Sequence, residues 1–198
     1  MVLDLGSGAG LDVFIAAAKV GPAGHVYGVD MTKEMVAKAR HNAAAFRRRT
    51  TLDNVTFHHA QIEAIPLPND SVDVVISNCV LNLSPDQPAV WREIARVLRP
   101  GGRVSISDIV LLRTLPEGVK GLVEAYVGCI AGAQLLGDVE GWAKGAGLED
   151  WHVDVKAAAF AGMMESGDPL YREILSHLPE GTTPGDFATS ALLHARKP

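Results

Sequence analysis

The sequence predicts an α/β protein built on a doubly wound, mostly parallel sheet, with an elaborated C-terminal half. Three observations support this fold class. Short apolar runs alternate with helical stretches through residues 1–112, a pattern typical of a parallel sheet with helices on both faces. A glycine-rich turn at residues 6–10 separates the first apolar run from the first helical stretch. An acidic residue, Asp30, stands at the end of the second apolar run.

The strands of the first half are predicted from apolar runs of four to seven residues that are bounded by turn residues. These runs are residues 2–5, 25–29, 55–58, 72–77 and 103–109. The last of them follows Arg99-Pro100-Gly101-Gly102, whose proline and glycines indicate a turn.

Helices are predicted between these strands at residues 11–20, from Lys33 onward, and at residues 88–98. The first carries Phe14, Ile15 and Ala18 on one face, which we expect to be buried, and Gly21-Pro22 ends it. Thr32 is the expected N-cap of the second helix.

The second half has a different character. Residues 119–136 and 139–147 are predicted to be helical, and residues 151–155 and 189–195 to be late strands. No repeat or long linker divides the chain, so we predict one domain, with residues 1–112 as its core and residues 113–198 as its C-terminal part.

Composition and charge argue against several classes of protein. The chain has 198 residues, 47% of them hydrophobic and 21% charged, as in an ordinary globular domain. Its net charge of -5 argues against nucleic-acid binding. The longest apolar run, residues 13–18, is too short to cross a membrane. With only two cysteines, no disulfide framework is expected, so a reducing cytoplasm is the predicted location.

The start of the chain is unusual, because Met1 leads directly into a central strand. No secretory leader is predicted for that reason. A complete domain of this kind normally has a helix or two before that strand, so we expect the polypeptide to be truncated.

The glycine-rich turn and Asp30 together predict a site for a nucleoside-containing cofactor. Glycines let the backbone turn tightly and approach a ligand, and a carboxylate about twenty residues further on can accept both ribose hydroxyls. The third glycine, Gly10, comes one residue early for a dinucleotide fingerprint. Asp4, inside the first strand, would repel a pyrophosphate but can pair with the ammonium of S-adenosylmethionine (SAM). Both departures favour SAM over NAD.

Four segments resemble the motifs of class I SAM-dependent methyltransferases, which have a Rossmann-like fold. They are residues 2–10, Gly28-Val29-Asp30-Met31, Gln61-Ile62-Glu63-Ala64-Ile65-Pro66 and Leu98-Arg99-Pro100-Gly101-Gly102. The resemblance implies that residues 1–112 form the SAM-binding core. The cofactor-binding residues it implies are Asp4, Gly6, Ser7, Gly8, Gly10, Asp30, Met31, Gln61, Ile62, Glu63 and Asn78.

More specific segments are similar to the arsenite methyltransferase family. They are residues 77–85, which include Asn78-Cys79-Val80, residues 126–133, which include Gly128-Cys129, and Ser107-Asp108-Ile109. The resemblance implies that Cys79 and Cys129 are the catalytic residues, holding trivalent arsenic as the substrate. It further implies arsenite or methylarsenite as acceptor, arsenic detoxification as the role, and a thiol reductant such as glutathione or thioredoxin. Residues 113–198 would then contribute the acceptor-site helices and closing strands.

Other interpretations stay open at this stage. Both cysteines could be small buried core residues, the commonest role of an isolated cysteine. Many family members carry further cysteines that this chain lacks, so a third thiolate would come from a missing N-terminus or a small thiol. The acceptor could be a small organic molecule such as a quinone precursor, or the chain a non-catalytic remnant that binds SAM or arsenic. An NAD oxidoreductase is disfavoured by the glycine spacing.

Overall fold

The computed structural model of the protein describes residues 1–119, 132–156, 173 and 176–198. In this part of the chain, seven strands form one sheet in the order β3-β2-β1-β4-β5-β7-β6. The strands are β1 (Val2–Leu5), β2 (Val26–Asp30), β3 (Val55–His59), β4 (Val72–Asn78), β5 (Leu98–Leu111), β6 (Glu149–Lys156) and β7 (Ala188–Arg196). Strands β1 to β5 pair in parallel, while β7 is antiparallel to both β5 and β6. The predicted doubly wound, mostly parallel sheet is confirmed.

Helices cover the two faces of the sheet. They are α1 (Leu11–Val20), α2 (Lys33–Thr50), α3 (Gln87–Val97) and α4 (Leu136–Gly145). Helices α1 and α2 pack on one face around Val26 and Phe57, whereas α3 and α4 pack on the other. The centre of that second core is Trp91 of α3, which is fully buried and meets Trp151 of β6 edge to face at 5.8 Å between ring centroids.

The buried face predicted for α1 was wrong. Val13 and Ala17 are the residues that α1 buries, while Ile15 is 47% exposed and Ala18 is exposed. Val13 and Ala17 are one helical turn apart, so they share the side of the helix that lies on the sheet. Phe14 is half-buried and stacks on Phe46 of α2 at 5.0 Å between ring centroids.

Element ends differ from the prediction where long-range pairing decides them. Strand β5 begins five residues earlier than expected, because the turn that precedes it pairs with the end of the chain. The amide of Gly101 donates to the carbonyl of Lys197, and the amide of Lys197 donates back to the carbonyl of Gly102, at 2.8 and 2.9 Å. Thr32 holds the N-cap position of α2, but its side chain makes no capping hydrogen bond.

Much of the helix predicted over residues 119–136 lies outside the described residues, and so does Cys129. None of the helices in the described ranges is long and apolar enough to span a membrane.

Candidate active site

The glycine-rich loop folds back onto the end of β2. The amides of Gly6 and Ser7 both donate to the carbonyl of Val29, at 2.8 and 3.0 Å. Gly6 has a φ of +69°, and an ideal Cβ there would lie 2.1 Å from Cγ2 of Val80. Glycine is therefore required at this position for both conformation and space. The close approach brings the loop after β4 against the loop after β1.

Asp30 organises the end of β2. Its carboxylate is only 8% exposed, and each oxygen accepts one backbone amide: Oδ2 from Gly8 and Oδ1 from Thr32, both at 2.8 Å. A carboxylate oxygen has a second acceptor site, so both remain able to accept hydroxyl donors from a ligand. The carboxylate is thus oriented by the chain itself.

Asp30 lines a cavity of about 130 Å³ at the carboxyl ends of β1, β2 and β4. Of the residues predicted to bind the cofactor, six line it: Gly6, Asp30, Met31, Gln61, Ile62 and Glu63. Five further lining residues were missed: Thr32, Val80, Leu83, Ser84 and Pro85. Two of the lining residues, Glu63 and Ser84, are joined by a hydrogen bond in which the serine hydroxyl donates to the carboxylate.

A second cavity, of about 220 Å³, is lined mainly by polar side chains from β1, β4, β5 and α1. Two predicted residues, Asp4 and Asn78, line it together with Asp12, Ser105 and Ser107. Asp12, in the first turn of α1, was not singled out from the sequence, although an acidic residue directly after a glycine-rich turn was a usable signal.

Asp4 is the most strongly perturbed carboxyl group of the site. Burial, together with the nearby carboxylates of Asp12 and Asp30, raises its pKa to about 8. A buried carboxyl group among other carboxylates is a binding position for a cation, because a positive partner would relieve both the desolvation and the repulsion. Asp4 is only 3% exposed, so that partner must come from the cavity side.

The other predicted loop residues line neither cavity. Ser7 is buried, and its hydroxyl has no hydrogen-bond partner among the described residues. Gly8 provides the amide that orients Asp30. At Gly10 a Cβ would lie 2.8 Å from the ring of Phe14, so this glycine serves the packing between loop and helix.

Helix α3 fixes the segment that borders the first cavity. Arg96 donates to the carbonyls of Ile65 and Leu67, both at 2.8 Å, and Glu93 accepts the amide of Ile65 at 2.7 Å. Glu93 and Arg96 also pair with each other at 2.6 Å, and the hydrogen bond from Arg96 lowers the pKa of Glu93. Two charged side chains of α3 therefore fix the backbone at Ile65 and Leu67.

Cys79 stands where β4 ends and its loop begins. It is exposed, and its φ of +55° lies in the left-handed region that non-glycine residues rarely occupy. Its amide donates to the carbonyl of Ser107 on β5 at 2.8 Å. Its neighbour Val80 lines the first cavity and contacts the Gly6 loop. Cys79 itself lines neither cavity, but it stands in the chain between Asn78, which lines the second, and Val80, which lines the first.

The site fits SAM. Asp30 can accept the ribose hydroxyls, the apolar side chains of Met31 and Ile62 can border an adenine ring, and Asp4 offers a carboxylate for the ammonium group. A nucleoside-containing ligand needs more room than the first cavity alone, since small-molecule sites commonly measure about 300 Å³ or more. The cavity lined by Asp4 offers further space at the same edge of the sheet. Within the described ranges, no group of three or more His, Cys, Asp or Glu side chains is arranged to hold a metal ion.

The fold and this site define the class. Residues 1–167 match the family model of the methyltransferase domain, and the chain belongs to that family. The predicted class, SAM-dependent methyltransferases, is confirmed, and with it the cofactor of the class.

Within the class, the relatives agree with the more specific resemblance. The arsenite methyltransferase of Halobacterium salinarum is 44% identical over 197 residues, a match that covers all of this chain and 46% of the relative. That of Aquipseudomonas alcaligenes is 41% identical over 152 residues, which covers 75% of this chain and 44% of the relative. The predicted similarity to arsenite methyltransferases is confirmed. The chain spans about half the length of these curated relatives.

A solved structure supports the same similarity to arsenic methyltransferases. The arsenic(III) S-adenosylmethionine methyltransferase of Chlamydomonas reinhardtii superposes with a TM-score of 0.80 at 32% identity, covering 100% of this chain and 63% of that one.

Proposed function

We propose that this chain is the catalytic core of an enzyme that transfers methyl groups from SAM to trivalent arsenic held by Cys79 and Cys129. The observation that carries the proposal is the position of Cys79, exposed at the end of β4 and adjacent to Val80, which lines the cofactor cavity. The exposure of this residue supports its access to an arsenical in solution. The left-handed φ of Cys79 is consistent with a functional role, because such strain concentrates at active sites.

Cys129 lies outside the described residues, but its reach is limited by covalent geometry. It is three residues from Gly132, which packs directly against the carbonyl of Asn82. Three residues span at most about 11 Å. Cys79 is likewise three residues from Asn82, so the same upper limit of about 11 Å from this contact applies to each cysteine. We infer a paired role from that shared limit.

The arsenic chemistry follows from the two thiols. Bound SAM supplies an electrophilic methyl group on a sulfonium sulfur. In our proposal, Cys79 and Cys129 replace two hydroxides of arsenite, release them as water, and turn the arsenic lone pair towards that methyl carbon. The lone pair forms the As–C bond while the C–S bond breaks, and its electron pair stays on sulfur as S-adenosylhomocysteine forms. Alignment supplies much of the rate in such a displacement. No general base is needed, since the lone pair carries no proton.

The transfer leaves arsenic oxidised by two electrons. A thiol reductant such as glutathione or thioredoxin would return those electrons and itself become a disulfide. We propose arsenite and methylarsenite as the acceptors, arsenic detoxification as the role, and a reducing cytoplasm as the setting that keeps both thiols reduced. Every described residue that lines the first cavity is numbered below 113. This supports residues 1–112 as the cofactor-binding core and residues 113–198 as the part that completes the acceptor site.

The test is to incubate the purified chain with SAM, arsenite and glutathione, and to resolve methylated arsenicals by mass. Cys79→Ser and Cys129→Ser variants are run in parallel, and SAM affinity is measured for all three proteins. We expect product from the wild type and a loss of at least a hundredfold in each variant, with SAM affinity within about twofold. Equal SAM binding shows that a variant has kept its fold.

Other outcomes contradict the proposal. A wild-type chain that binds SAM but ignores arsenite would favour a small organic acceptor. Product from both serine variants would show that the thiols are not the ligands. Failure of the wild type to bind SAM would identify a non-catalytic remnant.

A further inference from the structure

Asp108, in β5, is a buried carboxylate that lines neither of the two cavities. It is only 2% exposed, and its oxygens accept hydrogen bonds from the amide of Leu81 at 3.0 Å and from the side chain of Asn82 at 2.9 Å. Both donors belong to the loop after β4, which begins at Cys79. A carboxylate of one strand is therefore bound by the loop that follows the neighbouring strand.

The backbone of this loop is turned so that successive amides face the carboxylate. Cys79 has a φ of +55°, and Val80 follows with a φ of -125° and a ψ of -34°. A left-handed residue followed by one with negative φ and ψ forms a concave backbone whose N–H groups bind anions. The anion in this case is the side chain of Asp108.

Hydrogen bonding offsets the cost of burying this carboxylate. Burial raises the pKa of Asp108, and four nearby amides oppose that rise, namely those of Ile109, Asn82, Leu81 and Val80. Hydrogen bonds to a charged group are stronger than those between neutral groups. They can therefore hold a residue other than glycine in the left-handed region, which such a residue rarely occupies.

A second contact fixes Cys79 to β5. Its amide donates to the carbonyl of Ser107, the residue before Asp108, at 2.8 Å. The backbone on either side of a Cα atom sets the direction of its Cα–Cβ bond, so these contacts determine where the Cys79 side chain leaves the loop. The next residue, Val80, contacts Gly6 and lines the first cavity. The orientation of Cys79 relative to that cavity thus depends on β5.

We propose that Asp108 is a positioning residue for Cys79, because its carboxylate holds the loop after β4 in the conformation that directs the cysteine side chain. This inference rests on the proposed function, in which Cys79 holds the arsenic atom. Asp108 touches neither the arsenical nor SAM. Without its carboxylate the thiol remains, but the arsenic lone pair is no longer aligned with the methyl carbon, and a displacement depends on that alignment.

The first measurement is independent of arsenic. Cys79→Gly and Cys79→Ala are each combined with Asp108→Asn, and the folding equilibrium constants of the single and double variants are obtained by chemical denaturation. With Asp108 present, the glycine variant should have the larger constant by about fivefold, because only glycine tolerates the left-handed backbone. With Asp108→Asn the loop is free to leave this conformation, so the ratio should fall to one or below. A carboxylate that merely stabilised the fold would leave the ratio unchanged.

The second measurement is the methylation of arsenite by the full 198-residue chain, well below the unfolding midpoint. We expect Asp108→Asn to lower kcat at least about tenfold, with the KM for SAM within about threefold of the wild type. Asp86→Asn is the matched control. Asp86 lies in the same loop and accepts the amide of Ala89 at 3.0 Å, a capping role that asparagine fills equally well. This control should methylate arsenite like the wild type.

A ratio of glycine to alanine variants that is unchanged by Asp108→Asn would overturn the inference, as would a wild-type kcat in Asp108→Asn. If Asp108→Asn fails to fold, hydrogen exchange in the wild type decides instead. An amide of Leu81 that exchanges as fast as in an unstructured peptide would then overturn the inference. A failure of the proposed function looks different, because the wild type itself would methylate no arsenic while the stability ratio still responded to Asp108→Asn.

Discussion

Gly6 and Val80 are in contact so close that no side chain fits at position 6: a Cβ there would lie 2.1 Å from Cγ2 of Val80. We expect Gly6→Ala to lower the free energy of unfolding by at least about 2 kcal/mol, from steric overlap and from a φ of +69° that costs a non-glycine residue about 1–2 kcal/mol. Chemical denaturation measures this change.

The double variant Gly6→Ala/Val80→Ala separates the two causes. Removing the methyl groups of Val80 should recover most of the stability that the steric overlap costs, since only the Cβ of residue 80 then stays within 3 Å of the added Cβ, at 2.8 Å. The cost of the left-handed backbone should remain. If the double variant is no more stable than the sum of the two single variants predicts, the contact between Gly6 and Val80 is not the source of the penalty.

Asp4 makes SAM binding dependent on pH. Burial and two neighbouring carboxylates raise its pKa to about 8, so the group is mostly protonated at neutral pH in the unliganded protein. Pairing with the SAM ammonium requires the carboxylate. We expect SAM affinity to fall by up to about tenfold per pH unit below pH 8, and to fall again at higher pH, where an α-amino group itself loses its proton. Isothermal titration calorimetry across pH 6–10 measures the profile.

Asp4→Asn is the matched variant for this profile. It should bind SAM more weakly and lose the acidic limb of the curve. Because the folded-state pKa of Asp4 lies above the unfolded value, its burial costs stability increasingly as pH rises from about 4 to 8. The asparagine variant should therefore unfold less readily than the wild type near pH 8, in the absence of SAM. A wild-type affinity that is flat between pH 6 and 8 contradicts this account of Asp4.

The left-handed backbone of Cys79 should be measurable as strain. Cys79→Gly and Cys79→Ala both remove the thiol, but only glycine tolerates a φ of +55° without penalty. We expect the glycine variant to be more stable than the alanine variant by about 1 kcal/mol, although glycine is more flexible in the unfolded chain. Ser107 serves as the control because it lies in the extended backbone of β5. There we expect Ser107→Ala to be more stable than Ser107→Gly. Greater stability of Cys79→Ala than of Cys79→Gly would argue against the left-handed conformation.

Arg96 and Glu93 should affect cofactor binding without touching the cofactor. Arg96→Met removes the hydrogen bonds that hold the carbonyls of Ile65 and Leu67, so we expect a several-fold higher KM for SAM and a stability loss of about 1–3 kcal/mol. Arg99→Met is the control, because Arg99 is more exposed and bonds Asp70 and Asp73 instead.

The Glu93 side of this pair has its own pH signature. Its folded-state pKa lies below the ordinary value of 4.5, so its stabilising effect is present above that value and is lost as pH falls through the folded-state pKa. The stability difference between the wild type and Glu93→Gln should shrink on acidification below about pH 4.5. A difference that stays constant to pH 3 would show that the ion pair contributes nothing.

The sheet and the positions of several cavity-lining residues on it could be predicted because their signals are local. A buried run followed by glycines, and an acidic residue after the next run, are readable within thirty residues, and Asp30 and Gly6 lie where that pattern placed them. The buried face of α1 was missed because Phe14 and Ile15 looked more apolar than Val13 and Ala17. Which side of α1 is buried depends on how the helix is oriented on the sheet. The sequence of the helix alone does not determine that orientation.

The acceptor side depends on contacts between residues distant in the chain. Gln87 stands beside a proline at a helix start, a place where a polar residue is normally exposed. It is buried because Gly132, 45 residues later, returns to meet it. Leu83 and Pro85 likewise line the cavity only because the loop after β4 turns back over it. No periodicity in the sequence carries that information.

Helix α3 meets both halves of the site: Gln87 at its first turn donates hydrogen bonds to Asn82 and Gly132, and Glu93 and Arg96 two turns later support the wall of the cofactor cavity. One element of eleven residues therefore supports both the lining of the cavity and the contact between Asn82 and Gly132. A ligand bound in the cavity should slow hydrogen exchange at the α3 amide protons near Glu93 and Arg96, and the exchange rates along the helix would measure how far that protection extends towards Gln87.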